Sequence, residues 1–395
     1  FTKKDFSIFG GTMKKTNEDL WVGVDVGSTT VKIAVVDPAT SNLLHYSYQR
    51  HNAMQAAKVM ELLTEAHALF PGKTFGVAFC GSGGQPFAEA TRAFFVQEVV
   101  ANALAVRATH PETRVAIELG GQDAKVVFFE KDRTTGKLIA SDMRMNGVCA
   151  GGTGAFIDQV AELLRIKTEN FESYAARGKK VYEISGRCGV FAKTDIQPML
   201  NQGIAKEDIA LSSFHAIAKQ TIGGLAQGME IKPPVIFEGG PLTFNPTLVR
   251  VFKERLGISV EQTIVPERSE VLVAWGAALS LGSMFNDKPC DYREEGSLDA
   301  LRHFNEKRQA EHRENGNPFF KDANEREEFL KRHPMAPTFY PQPTSGSELN
   351  VYIGIDAGST TTKLVLMSED EKILDGFYAS NDGEPLAVLK RALVE

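Results

Sequence analysis

The sequence predicts an α/β fold of two similar halves facing a cleft, followed by a linker and the start of a second copy. Three observations carry that prediction. Residues 20–285 alternate between short apolar, strand-like runs and longer stretches with helical periodicity, the pattern of an α/β domain. Two strand–turn–strand glycine motifs lie inside that region, at residues 21–36 and 114–129, so antiparallel hairpins are expected beside parallel strands. The first motif also returns far down the chain. Gly23-Val24-Asp25-Val26-Gly27-Ser28-Thr29-Thr30-Val31-Lys32 recurs as Gly354-Ile355-Asp356-Ala357-Gly358-Ser359-Thr360-Thr361-Thr362-Lys363, an offset of 331 (354 − 23).

Strands are expected at 21–26, 31–36, 74–80, 114–119, 124–129 and 234–238, and helices at 52–68, 95–108, 152–165, 206–228, 244–256 and 269–284. The region 286–349 changes character. It is rich in Glu, Lys, Arg, Asn and His up to Arg332, then runs through Pro334, Pro337, Pro341 and Pro343 to Ser345-Gly346-Ser347. A charged, partly helical connector leading into an extended Pro-rich linker is expected there; a charged docking surface is the alternative. The expected organisation is an N-terminal extension (1–19, with Met13-Lys14-Lys15 resembling a start), a first domain (20–285), the linker (286–349) and a truncated second domain (350–395).

Composition narrows the function. Of 395 residues, 43% are apolar and 24% charged, which is ordinary for a globular chain. The formal net charge of −6 argues against a general nucleic-acid binder, because phosphate would repel such a surface. No apolar run approaches the roughly 20 residues of a membrane span, and the start carries Lys3, Lys4 and Asp5 with no apolar core after them, unlike a signal peptide. Four scattered cysteines (80, 149, 188 and 290) do not form a disulfide framework. A reducing, cytoplasmic setting is expected.

Three turns have the chemistry of phosphate sites. Asp25-Val26-Gly27-Ser28-Thr29-Thr30 joins a carboxylate, a glycine and hydroxyls. Glycine lets backbone approach an anion, N–H and O–H groups donate to it, and the carboxylate can hold hydrated Mg2+. Glu118-Leu119-Gly120-Gly121-Gln122-Asp123-Ala124-Lys125 offers the same set, and Phe237-Glu238-Gly239-Gly240-Pro241 ends a strand before a helix, where flat backbone could accept adenine and ribose. Each turn alone is a common hairpin. In this order and spacing they resemble the actin, hexokinase and heat-shock chaperone superfamily of ATPases. That resemblance implies an actin-like fold around ATP or ADP. It makes Gly27, Ser28, Thr29, Thr30, Lys32, Gly120, Gly121, Gly152, Thr153, Gly154, Glu238, Gly239 and Gly240 nucleotide-site residues, and Asp25, Glu118, Gln122 and Asp123 catalytic ones, with Mg2+ as cofactor. Lys32 is as well suited to pair with a carboxylate. Glu118 stands where the superfamily usually has Asp. Helices near 95–108 and 269–284, the latter with Ala274, Gly276, Ala277 and Ala278, are expected to cross closely at a hinge. The second copy, with one hairpin and no adenosine motif, is not expected to bind ATP.

Cys149 lies in Gly147-Val148-Cys149-Ala150-Gly151-Gly152-Thr153-Gly154, just ahead of a helix whose face is set by Phe156, Val160, Leu163 and Leu164. A thiol there feels the positive end of the helix dipole and favours its thiolate. Cys188 follows 39 residues later (188 − 149) in Cys188-Gly189-Val190-Phe191-Ala192-Lys193-Thr194-Asp195. On the residues alone, two buried free thiols are the plain alternative. Together with Gly120-Gly121-Gln122-Asp123-Ala124-Lys125, however, these segments resemble the activators of 2-hydroxyacyl-CoA dehydratases and the ATPase subunits of benzoyl-CoA reductases. The resemblance covers nearly all of residues 20–285. It implies that Cys149 and Cys188 hold half of a 4Fe–4S cluster, and that a homodimer, or a pseudo-dimer with the second ATPase domain, supplies the other half. It further implies ATP-driven transfer of a low-potential electron from a donor such as ferredoxin or flavodoxin to a dehydratase or reductase iron–sulfur protein. Cys80 is expected to be buried or to line the cleft, and Cys290 to be exposed in the connector. Two other functions stay open from sequence. One is a small-molecule kinase with Asp123 or Asp195 as base; the other is a non-catalytic ATP-dependent regulator. His215, Lys219 and Gln220 carry no specific signal.

Overall fold

The computed structural model describes residues 18–146, 153–185, 189–285, 288, 290–315, 319–334, 348–358, 360–381 and 384–394. Cys149, Gly152 and Cys188 lie outside the described residues. The chain divides into two units, residues 1–192 with 207–309, and residues 193–206 with 310–395.

The first unit contains two five-stranded sheets of one design. Sheet one is built from β1 (Leu20–Val26), β2 (Thr30–Val36), β3 (Leu43–Arg50), β4 (Phe75–Cys80) and β5 (Phe94–Phe95) in the order β3-β2-β1-β4-β5. Sheet two is built from β6 (Val115–Leu119), β7 (Ala124–Lys131), β8 (Leu138–Met145), β9 (Val235–Glu238) and β10 (Thr263–Ile264) in the order β8-β7-β6-β9-β10. In each, an antiparallel meander is extended by two parallel strands. β1 and β6 are central and every residue of each is buried, which is why they read as continuous rather than alternating apolar runs. Phe79, Phe87, Val59, Leu62 and Leu63 fill one core against sheet one; truncating a fully buried Phe such as Phe79 to Ala costs about 3–5 kcal/mol.

Helices α1 (Gln55–Leu69), α2 (Gly84–Thr91) and α3 (Glu98–Thr109) follow the first sheet's strands. Between the strands of the second come α4 (Gly154–Leu164), α5 (Phe171–Ala175), α6 (Gly189–Asn201), α7 (Lys206–Leu225), α8 (Gly240–Phe244) and α9 (Pro246–Leu256), and α10 (Leu272–Ser283) closes the pattern. Local signals set some ends. Pro246 occupies the first turn of α9, and Gly257 (φ +64°) terminates it with its N–H on Lys253 O, since a left-handed residue after a helix favours glycine. The helices α3 and α10 do cross closely. A Cβ on Gly276 would overlap the carbonyl of Ala101, and one on Gly23 of β1 would overlap the carbonyl of Ala274. Glycine at both positions lets α10 lie between α3 and the first sheet.

One expectation changes. Cys290 is 6% exposed and packs with Tyr292 and Leu301 into the first sheet's core. Leu298 and Phe304 of α11 (Glu294–Asn315) join it. His67 stacks on Phe75 and lies 3.0 Å from the Tyr292 hydroxyl, and Ser297 Oγ donates to Thr91 O. The charged residues around Cys290 face outward from an amphipathic segment, so the charge-rich composition conceals an apolar stripe.

In the second unit, α12 (Ala323–Arg332) is capped by Asp322, whose side chain accepts from Glu325 N at 2.9 Å. A three-stranded sheet, β11 (Val351–Ala357), β12 (Thr361–Ser368) and β13 (Ile373–Ser380) in the order β11-β12-β13, precedes α13 (Pro385–Ala392). Its register repeats the first hairpin: Asp25 pairs with Lys32 and Asp356 with Lys363.

Candidate functional site: a cleft between two phosphate hairpins

Each sheet presents the same turn. In the first, Gly27 N donates to Thr30 O at 2.9 Å; in the second, Gly120 N donates to Asp123 O at 2.7 Å. The turns meet: a Cβ on Gly121 would overlap the Thr29 side chain. Gly239 (φ +89°) needs the left-handed region, and a Cβ on Gly240 would overlap the Tyr48 hydroxyl. Thr29, Thr30, Gly121, Gly154 and Gly240 border one cavity of about 440 Å3, together with Tyr48, Arg50, Asp158, Glu169 and Phe244. Five predicted site residues from four separate motifs therefore converge.

The first turn is braced by groups the sequence did not flag. His51 Nδ1 accepts from Ala53 N at 3.1 Å, which leaves Nε2 to donate to Gly27 O at 3.3 Å, and Gln55 Nε2 donates to the same carbonyl at 3.2 Å. Burial pushes the His51 pKa down, consistent with that neutral tautomer.

The acids sit at the strand ends and are buried. Asp25 is 1%, Glu118 5% and Glu238 0% exposed. Lys32 Nζ lies 2.6 Å from Asp25, and Lys125 Nζ lies 2.7 Å from Glu98 and 3.4 Å from Glu118. In both sheets the carboxylate and its lysine are register partners across the hairpin. Burial raises the Asp25 pKa despite Lys32. It pushes Glu118 up to about 7 against the pull of Lys125. Glu238 is pushed to about 8 by burial and by Glu118, although Asn102 Nδ2 donates to it at 2.8 Å. Burial also pushes Glu98 up, but Lys125 more than offsets this and its net shift is downward. Asp25 Oδ1 and Glu238 Oε2 are buried with no hydrogen-bond partner. A buried carboxylate oxygen without a donor is costly, and a hydrated cation would satisfy Asp25.

Other predicted residues are placed differently. Lys32 is committed to Asp25. Gln122 is exposed, and its carbonyl accepts from Asn146. Thr153 is buried ahead of α4. Gly154 N and Ala155 N donate to Gly120 O and Gly121 O at 2.9 and 2.7 Å, so the start of α4 is fastened to the second phosphate turn. Cys80 is buried at 0% exposure, and burial raises its pKa well above the ordinary thiol value; it does not line the cavity. Glu98 and Asn102 belong to α3 and were missed, because only the fold brings that helix to the acids.

The profile of the BadF/BadG/BcrA/BcrD ATPase family matches residues 22–280, spanning both hairpins, the adenosine-type turn and the crossing helices. The chain belongs to this family. Among its relatives is the (R)-2-hydroxyglutaryl-CoA dehydratase activating ATPase of Acidaminococcus fermentans, 27% identical over 260 residues, which are 65% of this chain and 95% of that protein. Another is the 2-hydroxyisocaproyl-CoA dehydratase activator of Clostridioides difficile, 27% identical over 259 residues, 65% of this chain and 93% of that one. The crystal structure of component A of the Acidaminococcus fermentans dehydratase aligns with a TM-score of 0.58 at 26% identity, covering 68% of this chain and 99% of that one. The Clostridium difficile activator with bound ADPNP aligns with a TM-score of 0.58 at 24% identity. The fold of the family ATPase is thus actin-like. Among the described residues, no cluster of His, Cys, Asp and Glu suited to a metal occurs and no helix is long and apolar enough to cross a membrane.

Proposed function

We propose that this chain is an ATP-dependent electron-transfer activator that serves a 2-hydroxyacyl-CoA dehydratase or a related reductase. The observation that carries the reading is the fastening of α4 to the phosphate turn through Gly154 N and Ala155 N. α4 begins five residues after Cys149 (154 − 149), and α6 begins directly after Cys188. Cys80 and Cys290 lie in apolar cores, and the donors proposed are Cys149 and Cys188, the pair that the family resemblance implies. A thiol preceding a helix is the type that favours its thiolate, and two such thiols from each of two domains make four, the usual complement of a 4Fe–4S cluster. When bound, that cluster supplies a single low-potential electron.

The chain's own residues do the rest. Thr29, Thr30 and the backbone N–H of Gly121 donate to the phosphates, and glycine at 121 and 240 lets the turns close on Thr29 and Tyr48 at the edge of the cavity. Asp25 and Glu118 would hold hydrated Mg2+, and Gln122 and Asp123 of the second turn would orient the attacking water. Closure of the cleft moves the phosphate turns and therefore α4. Residues 20–285 form the working ATPase domain, and residues 350–395 begin a second copy. The second set of thiols comes from a homodimer or from that second domain; a ferredoxin or flavodoxin donates, and an iron–sulfur dehydratase or reductase accepts.

Anaerobically purified protein tests this. It should hydrolyse ATP without forming any phosphorylated small molecule, and should show a broad visible absorbance that bleaches with dithionite and shifts on adding ATP. A colourless protein that phosphorylates a sugar or an acid would replace this reading with that of a kinase.

A further inference from the structure

Both lysines of the phosphate hairpins are committed inside the protein, Lys32 to Asp25 and Lys125 to Glu98 and Glu118. Among the described residues bordering the cavity, Arg50 is the cation, and it faces the acids Asp158 and Glu169. A triphosphate keeps net negative charge even with its Mg2+, and among those residues Arg50 is the side chain that can answer it.

Arg50 is rooted in the first phosphate hairpin. It pairs in register with Thr30, and the next residue, His51, donates its backbone N–H to Thr29 O at 3.2 Å. Its guanidinium forks onto Asp158, with Nη1 2.9 Å from Oδ2 and Nη2 3.0 Å from Oδ1. Asp158 is on α4, whose first turn is fastened to the second phosphate hairpin. The ion pair is therefore a strap from one hairpin to the helix held by the other. Its side chains are 50% and 31% exposed, a setting in which an ion pair is weak and exchangeable. Phosphate accepts the same two-pronged donation that a carboxylate does.

We propose that Arg50 reads the terminal phosphate of the nucleotide: a bound triphosphate takes the guanidinium from Asp158, and its loss returns Arg50 to Asp158. The strap joins the hairpin to α4 in the empty and diphosphate states and is released in the triphosphate state. This rests on the nucleotide reading of the cleft, and it adds a residue that distinguishes three phosphates from two.

The test is equilibrium binding of Mg–ADP and of a Mg-bound non-hydrolysable ATP analogue to the full chain. Arg50→Ala should weaken the analogue about tenfold and ADP less than about twofold, with Arg50→Lys in between. Asp158→Asn frees Arg50 and should tighten the analogue by about two- to fivefold; that gain should vanish in the Arg50→Ala/Asp158→Asn double variant. Equal losses for both nucleotides in Arg50→Ala, or an Asp158→Asn variant that weakens binding as Arg50→Ala does, would mark a pair that only holds the fold and overturn the proposal. Wild-type protein that binds neither nucleotide would instead overturn the nucleotide reading itself, and this proposal with it.

Discussion

The hairpins β1–β2 and β11–β12 share a sequence but not an environment. Both close with a glycine N–H on a threonine carbonyl, Gly27 on Thr30 and Gly358 on Thr361, each at 2.9 Å. Both carry a carboxylate–lysine pair, at 2.6 Å for Asp25–Lys32 and 2.7 Å for Asp356–Lys363. Yet β1 is wholly buried and β11 wholly exposed. The parallel strand β4 and the helix α10 cover β1, whereas β11 is an edge strand among the described residues. The hairpin sequence thus encodes the turn and the ion pair, and the neighbours encode the chemistry. Burial, with the charge of Glu98 adding to it, raises the Asp25 carboxyl against the pull of Lys32, and its Oδ1 has no donor.

Three paired experiments can break that contrast. The largest difference is expected in ATP hydrolysis. Asp25→Asn should lower the rate at least about 100-fold, the scale of removing a metal's carboxylate contact, while Asp356→Asn leaves it unchanged. Equal losses would mean that both hairpins serve one site. Next comes stability, measured by urea unfolding. Lys32→Met strands a buried carboxylate and should cost about 3–5 kcal/mol, whereas Lys363→Met, at an exposed pair, should leave the midpoint where it was. A third pair concerns packing. Gly23→Ala must push α10 away from the Ala274 carbonyl and should cost about 1–3 kcal/mol. The same change at Gly354, which has open space around it, should cost nothing. A harmless Gly23→Ala would show that α10 does not press on β1.

The smallest effect is in pH. Glu238 keeps its proton to about pH 8 in the folded chain, against an ordinary value of 4.5. Between those values the folded state binds more protons than the unfolded one, so nucleotide-free stability falls as pH rises. Wild type should lose a few degrees of melting temperature from about pH 5 to about pH 8. Glu238→Gln, which mimics the protonated acid, should make that slope shallower and leave the share that Glu118, pushed up to about 7, contributes; an unchanged slope would assign it wholly to other groups.

Much of this was legible in the sequence because it is local. The apolar runs of β1, β2, β6 and β7, the glycine turns and the small residues of α10 each declare themselves within a dozen positions. The strand β3 did not, because Leu43-Leu44-His45-Tyr46-Ser47-Tyr48-Gln49-Arg50 is mostly half-buried and lacks alternation. That one strand supplies Tyr48 and Arg50 to the cavity. A usable signal was present in the seven-residue spacing shared by Asp25–Lys32, Glu118–Lys125 and Asp356–Lys363, which marks the same hairpin three times. Glu98 and Asn102 had no such signal, since their partners are distant in sequence, and Cys290 was masked by its charged neighbours.

In the proposed function, Cys149 and Cys188 bind an iron–sulfur cluster whose helices answer to the ATP cleft. Iron and acid-labile sulfide in anaerobically purified protein test it most directly. Wild type and Cys290→Ser should carry about four of each per two chains, and Cys149→Ser and Cys188→Ser should lose both while still binding nucleotide. A full complement of iron and sulfide in either of those two variants would contradict it.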